Sequence, residues 1–298
     1  MKPAPFVHHA PTSIAEAVAL LAELEDAKVL AGGQSLVPVL NMRLATPAHL
    51  VDINRLKELG TVEVDADRVR VGAIVRHAEL EHHERAHVAL PLLRQALERV
   101  AHPAIRNRGT TVGSIVHADP SGEMPAVLAL TGGSVRAVSI RGERTISAED
   151  FFLGPMESTL EHDELVVGVD FPRFPAVTIT AFDELARRSG DYALAGVALA
   201  VTAGSGGLTA ARASFVSVTD RPDVLDLTAI LAGRRPEQIG PDVLAAVARA
   251  ARDHVDPVDD IHASSDYRRH LSGTLCRRVL STLLQQLQDP NHTEAEQR

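Results

Sequence analysis

The sequence predicts an α+β protein of 298 residues in which parallel and antiparallel strands occupy different regions. Near the N-terminus, a strand–helix–strand pattern indicates a parallel βαβ unit. Further along, short alternating segments separated by turn residues indicate β-hairpins. After residue 176, three longer alternating segments precede two helical patterns, which is typical of an antiparallel sheet covered by helices. These patterns predict a two-lobed N-terminal part followed by a smaller C-terminal domain.

Composition narrows the functional classes. Hydrophobic residues make up 45% of the chain, which is enough for a sizeable core. The formal net charge of −9 argues against a nucleic acid or an anionic membrane as partner, because both attract a basic surface. Cys276 is the single cysteine, so the chain forms no internal disulfide and holds no iron–sulfur cluster by itself. With no apolar leader and no apolar run long enough to span a bilayer, we expect a cytoplasmic protein.

The first lobe, predicted over residues 1–57, is organised as a βαβ unit. Ser13 and Glu16 have the spacing of a helix capping box, and apolar residues then recur at helical spacing. Strands are predicted at 28–31 and 49–53, with a helix at 36–42 between them. Because such strands are joined by a crossover helix, we expect them to run parallel.

The remaining chain is predicted to form a second lobe over residues 58–174 and a C-terminal domain over residues 175–288. The second lobe has predicted hairpins at 62–71 and 134–146, helices at 77–84, 90–101 and 123–130, and a strand at 164–171. The C-terminal domain has predicted strands at 177–185, 195–203 and 208–218, and helices at 241–253 and 265–286. Residues 289–298 are polar and are predicted to be a disordered tail.

Two glycine-containing stretches are candidates for binding phosphate. The first glycine loop, residues 30–36, lies between a predicted strand and a predicted helix; the second, residues 109–114, has a similar composition. Glycine lets backbone N–H groups approach an anion closely, and a helix N-terminus adds a favourable dipole. Two such loops suit a pyrophosphate, so we expect them to meet in the fold. The alternative is that the first is an ordinary tight turn and the second a solvated loop.

Other familiar site patterns are missing from the sequence. Neither loop has the G-x-G-x-x-G dinucleotide pattern or the Gly-Lys-Ser/Thr of a P-loop. The 14 histidines include no H-E-x-x-H pattern, so no zinc site is predicted. Cys276 falls on or beside the apolar stripe of the last helix and is predicted to be inert packing.

The two loops together resemble the signatures of the FAD-binding medium subunit of the molybdenum hydroxylases, such as the carbon monoxide, xanthine, nicotine and caffeine dehydrogenases. The first signature, Ala-Gly-Gly-Gln/His-Ser, matches residues 31–35. The second matches residues 105–110, then Gly113, Ser114, the Ala-Asp-Pro at 118–120, and Glu123. Residues 50–53 and 186–193 match two further family segments. One departure is Val112, where the family usually has glycine; a Cβ there would restrict positive φ and close backbone approach.

This resemblance implies a fold and a function. The fold is a two-lobed FAD-binding domain like that of vanillyl-alcohol oxidase (the PCMH type), followed by the antiparallel C-terminal domain. The function is that of an electron-transfer flavoprotein subunit, with FAD on this chain and molybdopterin and 2Fe–2S clusters on partner chains. The partners are an iron–sulfur small subunit and a molybdopterin large subunit in a dimer of heterotrimers. A flavin-free assembly subunit and a stand-alone flavin oxidoreductase are the alternatives. Substrate and terminal electron acceptor stay open, because the substrate pocket lies on another chain.

The resemblance also implies which residues bind FAD, and it implies no catalytic acid or base and no metal ligand on this chain. Residues 31–36 and 110–114 would hold the pyrophosphate, and Glu123 the ribityl chain. Val116 and Val166 would lie beside the isoalloxazine ring. Tyr192 either covers one ring face or packs in the core, and His117 either touches the cofactor or lies at the surface. The full set of implied cofactor-binding residues is Leu30, Ala31, Gly32, Gly33, Gln34, Ser35, Leu36, Ala101, Ile105, Thr110, Thr111, Gly113, Ser114, Val116, His117, Ala118, Asp119, Glu123, Val166 and Tyr192.

Overall fold

The computed structural model describes residues 2–175 and 177–288, which contain both helices and strands as predicted. The strands are β1 Val7–His9, β2 Ala27–Leu30, β3 His49–Asp52, β4 Val62–Val64, β5 Arg68–Gly72, β6 Ser134–Ser139, β7 Gly142–Ser147, β8 Phe152–Gly154, β9 Glu157–Ser158, β10 Leu165–Pro172, β11 Thr178–Leu185, β12 Ala195–Gly204, β13 Gly207–Val216 and β14 Leu225–Asp226. The helices are α1 Ile14–Glu23, α2 Leu36–Asn41, α3 His77–Glu81, α4 Glu84–Ala89, α5 Pro91–Leu97, α6 Pro103–Arg106, α7 Thr111–His117, α8 Glu123–Thr131, α9 Ala148–Phe151, α10 Thr228–Leu231, α11 Pro241–His254 and α12 Ser265–Gln288. The predicted tail at 289–298 lies outside the described residues.

The chain divides into two compact units, and each is built from separated stretches of sequence. Unit 1 comprises residues up to Leu90, then Ala101–Asp119 and Gly132–Arg173. Unit 2 comprises Pro91–Val100, Pro120–Thr131 and the described residues from Phe174 to Gln288. The division into lobes at residues 57 and 174 stays a prediction.

Unit 1 contains the predicted parallel strands. Strands β1 and β2 both pair in parallel with β3, in the order β1-β3-β2, which confirms the parallel βαβ interpretation. Strand β1 was not predicted. The N-cap of α1 is Ser13, whose hydroxyl accepts a hydrogen bond from Glu16 N at 3.1 Å, as its spacing predicted.

A five-stranded antiparallel sheet, in the order β4-β5-β10-β6-β7, is the other main element of unit 1. It contains both predicted hairpins. Its central strand β10 is buried from Leu165 to Phe171, and helix α7 packs against β10 and β5. The helix predicted at 77–84 ends at Glu81, and a helix that was not predicted, α4, follows from Glu84, where His83 Nδ1 accepts a hydrogen bond from Ala86 N.

Unit 2 is a four-stranded antiparallel sheet, β11-β12-β13-β14, with helices on both faces. Helix α12 packs on β11 and β12, and α11 packs on α12. Gly273 permits this approach, since a Cβ there would lie 2.6 Å from Ala248 O. Helices α5 and α8 pack on the sheet as well, and Gln95 Nε2 donates to Thr180 O at 2.9 Å. The helix predicted at 90–101 ends earlier than expected, at Leu97, and Ala101 adopts a φ of +43°.

No helix within residues 2–175 and 177–288 combines the length and apolar character needed to cross a membrane. The same described residues contain no group of three or more His, Cys, Asp or Glu side chains arranged to hold a metal ion.

Candidate functional site

The first glycine loop joins β2 to α2 and presents a series of unengaged backbone donors. Gly33 has a φ of +74°, a conformation that favours glycine. In the part of the chain that the structure describes, the N–H groups of residues 32–36 donate no hydrogen bond to another protein group. Successive unpaired N–H groups in a turn form a concave anion site. This loop therefore offers the donors that a phosphate requires.

The second glycine loop runs into helix α7 instead of being irregular throughout. Thr110 is the N-cap of α7, and its Oγ1 accepts a hydrogen bond from Gly113 N at 3.1 Å. Gly109 O accepts a hydrogen bond from His77 N at 2.9 Å. The close contact with His77 also requires glycine at 109, because a Cβ would lie 2.9 Å from the ring Cδ2. The loop is thus fixed from both sides.

Val112 lies in a helix and not in an irregular turn. It occupies the second position of α7, where the backbone is right-handed helical, and its side chain is 2% exposed. The backbone at Val112 has no positive φ, so its Cβ causes no strain of that kind.

The two glycine loops touch each other at Gly32. A Cβ added to Gly32 would lie 2.5 Å from Arg108 O, 2.7 Å from Gly109 Cα and 2.8 Å from Thr110 N. Only a residue without a side chain permits such an approach. The prediction that the two loops meet is therefore confirmed, although 76 intervening residues separate Gly32 from Gly109 along the chain.

Two polar side chains that the sequence analysis missed connect the loops. Asn54 Nδ2 donates to Ala31 O at 2.8 Å, and Arg76 donates from its two terminal nitrogens to Arg108 O and to Asn54 Oδ1, each at 2.6 Å. Asn54 follows the matched family segment at 50–53, which is a weak signal. Arg76 has no local signal, because its partners lie 22 and 32 residues away.

Charged groups near Asn54 and Arg76 include the carboxylate of Asp52 and the guanidinium of Arg108. Partial burial of Asp52 disfavours its ionisation, but hydrogen bonds from Asn54 and His8 hold the pKa of this carboxyl below its usual value. Burial lowers the pKa of the Arg76 guanidinium, and the neighbouring positive charge of Arg108 acts in the same direction. Arg76 stays protonated, since an arginine pKa begins above 12.

His77 packs against the second glycine loop. Its side chain is buried, and its Nδ1 is 3.2 Å from the hydroxyl of Thr111. Burial lowers the pKa of His77 to about 4, and the charge of Arg106 contributes to the shift. Arg106 itself forms an ion pair with Glu81 at 2.7 Å. His77 is therefore a neutral packing residue near pH 7.

The structure divides the predicted site residues between the two units. Unit 1 holds most of them: those of both glycine loops, the rest of α7, Ala101, Ile105, Ala118, Asp119 and Val166. Unit 2 holds Glu123, in the first turn of α8, and Tyr192. Tyr192 is 68% exposed, so the alternative that it packs in the core is wrong.

Individual residues of α7 and β10 differ in accessibility. Thr111 is fully buried, and both its N–H and its hydroxyl are engaged within the protein. Val116 and His117 are half-buried, whereas Val166 is 6% exposed and lies at an irregularity in the pairing of β10 with β6. Ala118 ends α7 in a left-handed conformation with a φ of +53°.

Comparison with known proteins identifies the class. Residues 4–174 match the family model described as the FAD binding domain in molybdopterin dehydrogenase. Residues 180–283 match the model of the CO dehydrogenase flavoprotein C-terminal domain. The chain is therefore an FAD-binding flavoprotein of the oxidoreductase class.

Individual relatives define the family more closely. The chain is 37% identical over 285 residues to the 6-hydroxypseudooxynicotine dehydrogenase complex subunit alpha of Paenarthrobacter nicotinovorans, covering 95% of this chain and 96% of the relative. It aligns with carbon monoxide dehydrogenase from Hydrogenophaga pseudoflava with a TM-score of 0.88 and 36% identity, covering 94% of this chain and 97% of the other. With quinoline 2-oxidoreductase from Pseudomonas putida 86 the TM-score is 0.89 and the identity 36%, covering 96% and 99%. The chain belongs to the flavoprotein family of the molybdenum-dependent dehydrogenases, which confirms the resemblance and the fold class.

Proposed function

We propose that this chain is the electron-transfer subunit of a heteromeric molybdenum hydroxylase, and that it binds FAD through its two glycine loops. In this role it takes electrons from an iron–sulfur subunit and passes them to an external acceptor. The observation that carries the proposal is the contact of the loops at Gly32, with unengaged N–H groups on the first loop. This arrangement suits the two charged units of a diphosphate, which is the part of FAD that loops of this kind hold.

The residues of the chain bind and orient the cofactor, and FAD, when bound, supplies the redox chemistry. The N–H groups of residues 32–36 and the residues around Thr110, Gly113 and Ser114 hold the diphosphate. Thr111 supports the second loop through His77, since its own polar groups are already engaged. Asp119 would be the acceptor that unit 1 offers to a ribityl hydroxyl. Val116 and Val166 provide apolar surface for the ring.

The names of relatives support a proposal about partners. Several relatives are named as subunits or chains of dehydrogenases, and one carries the name complex subunit alpha. We infer an iron–sulfur small subunit and a molybdopterin large subunit, assembled as a dimer of heterotrimers in the cytoplasm. The substrate binds on the large subunit, so the residues of this chain do not select between carbon monoxide and an N-heterocycle.

The test is the composition of the native complex. Purified from its source organism, the complex should contain this chain, one larger and one smaller chain, and one FAD per copy of this chain, measured by native mass spectrometry and flavin absorption. A complex without flavin would favour the assembly-subunit alternative. A yellow chain that purifies without partners would favour a stand-alone flavin oxidoreductase.

A further inference from the structure

We propose that Arg76 and Asn54 are positioning residues for FAD, because they hold the two glycine loops at the spacing that the diphosphate requires. This inference rests on the proposed function. It goes beyond it by assigning the geometry of the site to two side chains outside both loops.

The connection is a chain of three hydrogen bonds. It runs from Arg108 O to Arg76, from Arg76 to Asn54 Oδ1, and from Asn54 Nδ2 to Ala31 O, with distances of 2.6, 2.6 and 2.8 Å. The guanidinium of Arg76 is planar and presents its two terminal nitrogens in a fixed fork. The fork therefore sets the separation of its two acceptors, one of which, Arg108 O, immediately precedes the second loop.

The same chain of hydrogen bonds orients the donors of the first loop. In a trans peptide, the C=O of one residue and the N–H of the next lie in one plane and point in opposite directions. Asn54 binds Ala31 O, so the Gly32 N–H points away from Asn54. The Gly32 N–H, which can donate a hydrogen bond to a phosphate, therefore has a fixed direction before any ligand binds. This reduces the entropic cost of ordering the loop on binding.

The Asn54 side chain and the Arg76 backbone are themselves held in place. Asp52 Oδ1 accepts hydrogen bonds from Asn54 N at 3.0 Å and from Asn54 Nδ2 at 2.6 Å. The backbone N–H of Arg76 donates to Glu79 Oε2 at 2.8 Å. The acceptors of the Arg76 guanidinium, a carbonyl and a side-chain amide, carry no charge, so its positive charge also favours an anion at this point.

The experiment measures FAD affinity of the full-length chain after the flavin is removed and titrated back, using flavin fluorescence. Arg76→Lys keeps the charge but cannot span both acceptors, and Asn54→Asp keeps an acceptor for Arg76 but has no donor for Ala31 O. We expect each variant to raise the Kd for FAD at least about tenfold, with little change in the Tm of the flavin-free chain. The matched control is Arg173→Gln, because Arg173 also donates to backbone carbonyls of unit 1, those of Asp65 and Ala66. Its Kd should equal that of the wild type.

A double-mutant cycle separates positioning from general stability. If Arg76 and Asn54 act through one chain of hydrogen bonds, Arg76→Gln combined with Asn54→Ala should weaken FAD binding no more than the worse single change. Additive losses, or a Kd for Arg76→Lys within twofold of wild type, would overturn the inference. Should Arg76→Gln fail to fold, Asn54→Ala tests the same connection from its other end.

Gly32→Ala distinguishes this inference from the proposed function. If Gly32→Ala abolishes FAD binding and the Arg76 and Asn54 variants do not weaken it, only the positioning role is wrong. If Gly32→Ala also binds FAD like the wild type, the assignment of the loops to the diphosphate is wrong as well.

Discussion

Adding one methyl group at Gly32 should remove FAD from this protein. In the structure a Cβ at this position would lie 2.5 Å from Arg108 O, whereas ordinary contacts of a Cβ begin near 3.4 Å. The first loop and the Arg108 carbonyl must therefore separate by about 0.9 Å, the difference between these two distances. The obstructing atoms are backbone atoms, so no side-chain rotation relieves the conflict.

The effect on binding follows from hydrogen-bond geometry. A hydrogen bond of about 2.9 Å lengthened by that amount is no longer a hydrogen bond. A bond to a charged group contributes about 1.5–3 kcal/mol, so losing two phosphate contacts costs about 3–6 kcal/mol, or at least ~100-fold in Kd. The overpacking itself should lower the free energy of unfolding by about 1–3 kcal/mol.

The assay is equilibrium titration of the flavin-free Gly32→Ala chain with FAD, together with its thermal unfolding. Gly206→Ala is the control, because a Cβ at Gly206 meets nothing within 4 Å. A Gly32→Ala chain that binds FAD within threefold of the wild type, while Gly206→Ala behaves normally, refutes the assignment of the diphosphate to this loop.

Three further predictions concern buried groups. Because burial lowers the pKa of His77 to about 4, the chain should lose up to about 3 kcal/mol of stability as the pH falls from about 6.5 to 4, and His77→Asn should remove this dependence in urea unfolding. Burial raises the pKa of Glu184 to about 7, with Arg99 opposing and Asp183 reinforcing the shift. The wild type should therefore lose up to about 3 kcal/mol as the pH rises from 4.5 to 7, and Glu184→Gln should be more stabilising at pH 8 than at pH 5; equal effects at both pH values would contradict this. Burial raises the pKa of the Cys276 thiol to about 12, so thiol reagents should label it only after unfolding, and rapid labelling of the native chain would show that the site is open.

Local patterns predicted most of the regular structure because the periodic segments contain many residues. The alternation in 195–203 and 208–218 covers enough residues to identify strands β12 and β13, and the pairing is antiparallel as expected. Strand β1 was missed because it has three residues, two of them histidine, and becomes a strand only by pairing with β3, far along the chain. Short strands of this kind depend on tertiary contacts that no local window contains.

The candidate site was only partly predictable for the same reason. The composition of both loops indicated their glycines, but the contact of the loops at Gly32 depends on the tertiary structure. The helix at Val112 was not predicted, because the segment was interpreted as a loop, whereas the hydroxyl of Thr110 caps a helix there. Arg76 looks like an ordinary surface arginine until its partners, Asn54 and Arg108 O, are seen in space.

Each of the two units is built from separated stretches of the chain, and this affects the order in which the protein can fold during synthesis. Helices α5 and α8 are synthesised early, yet they pack on strands β11 to β13, which emerge from the ribosome only afterwards. In α8 every residue from Met124 to Thr131 is buried in the finished protein, so a nascent chain halted at residue 174 lacks the strands β12 and β13 that cover part of this apolar segment. Unit 2 can therefore complete its packing only after the strands beyond residue 174 are made, and a fragment that stops at residue 174 should aggregate.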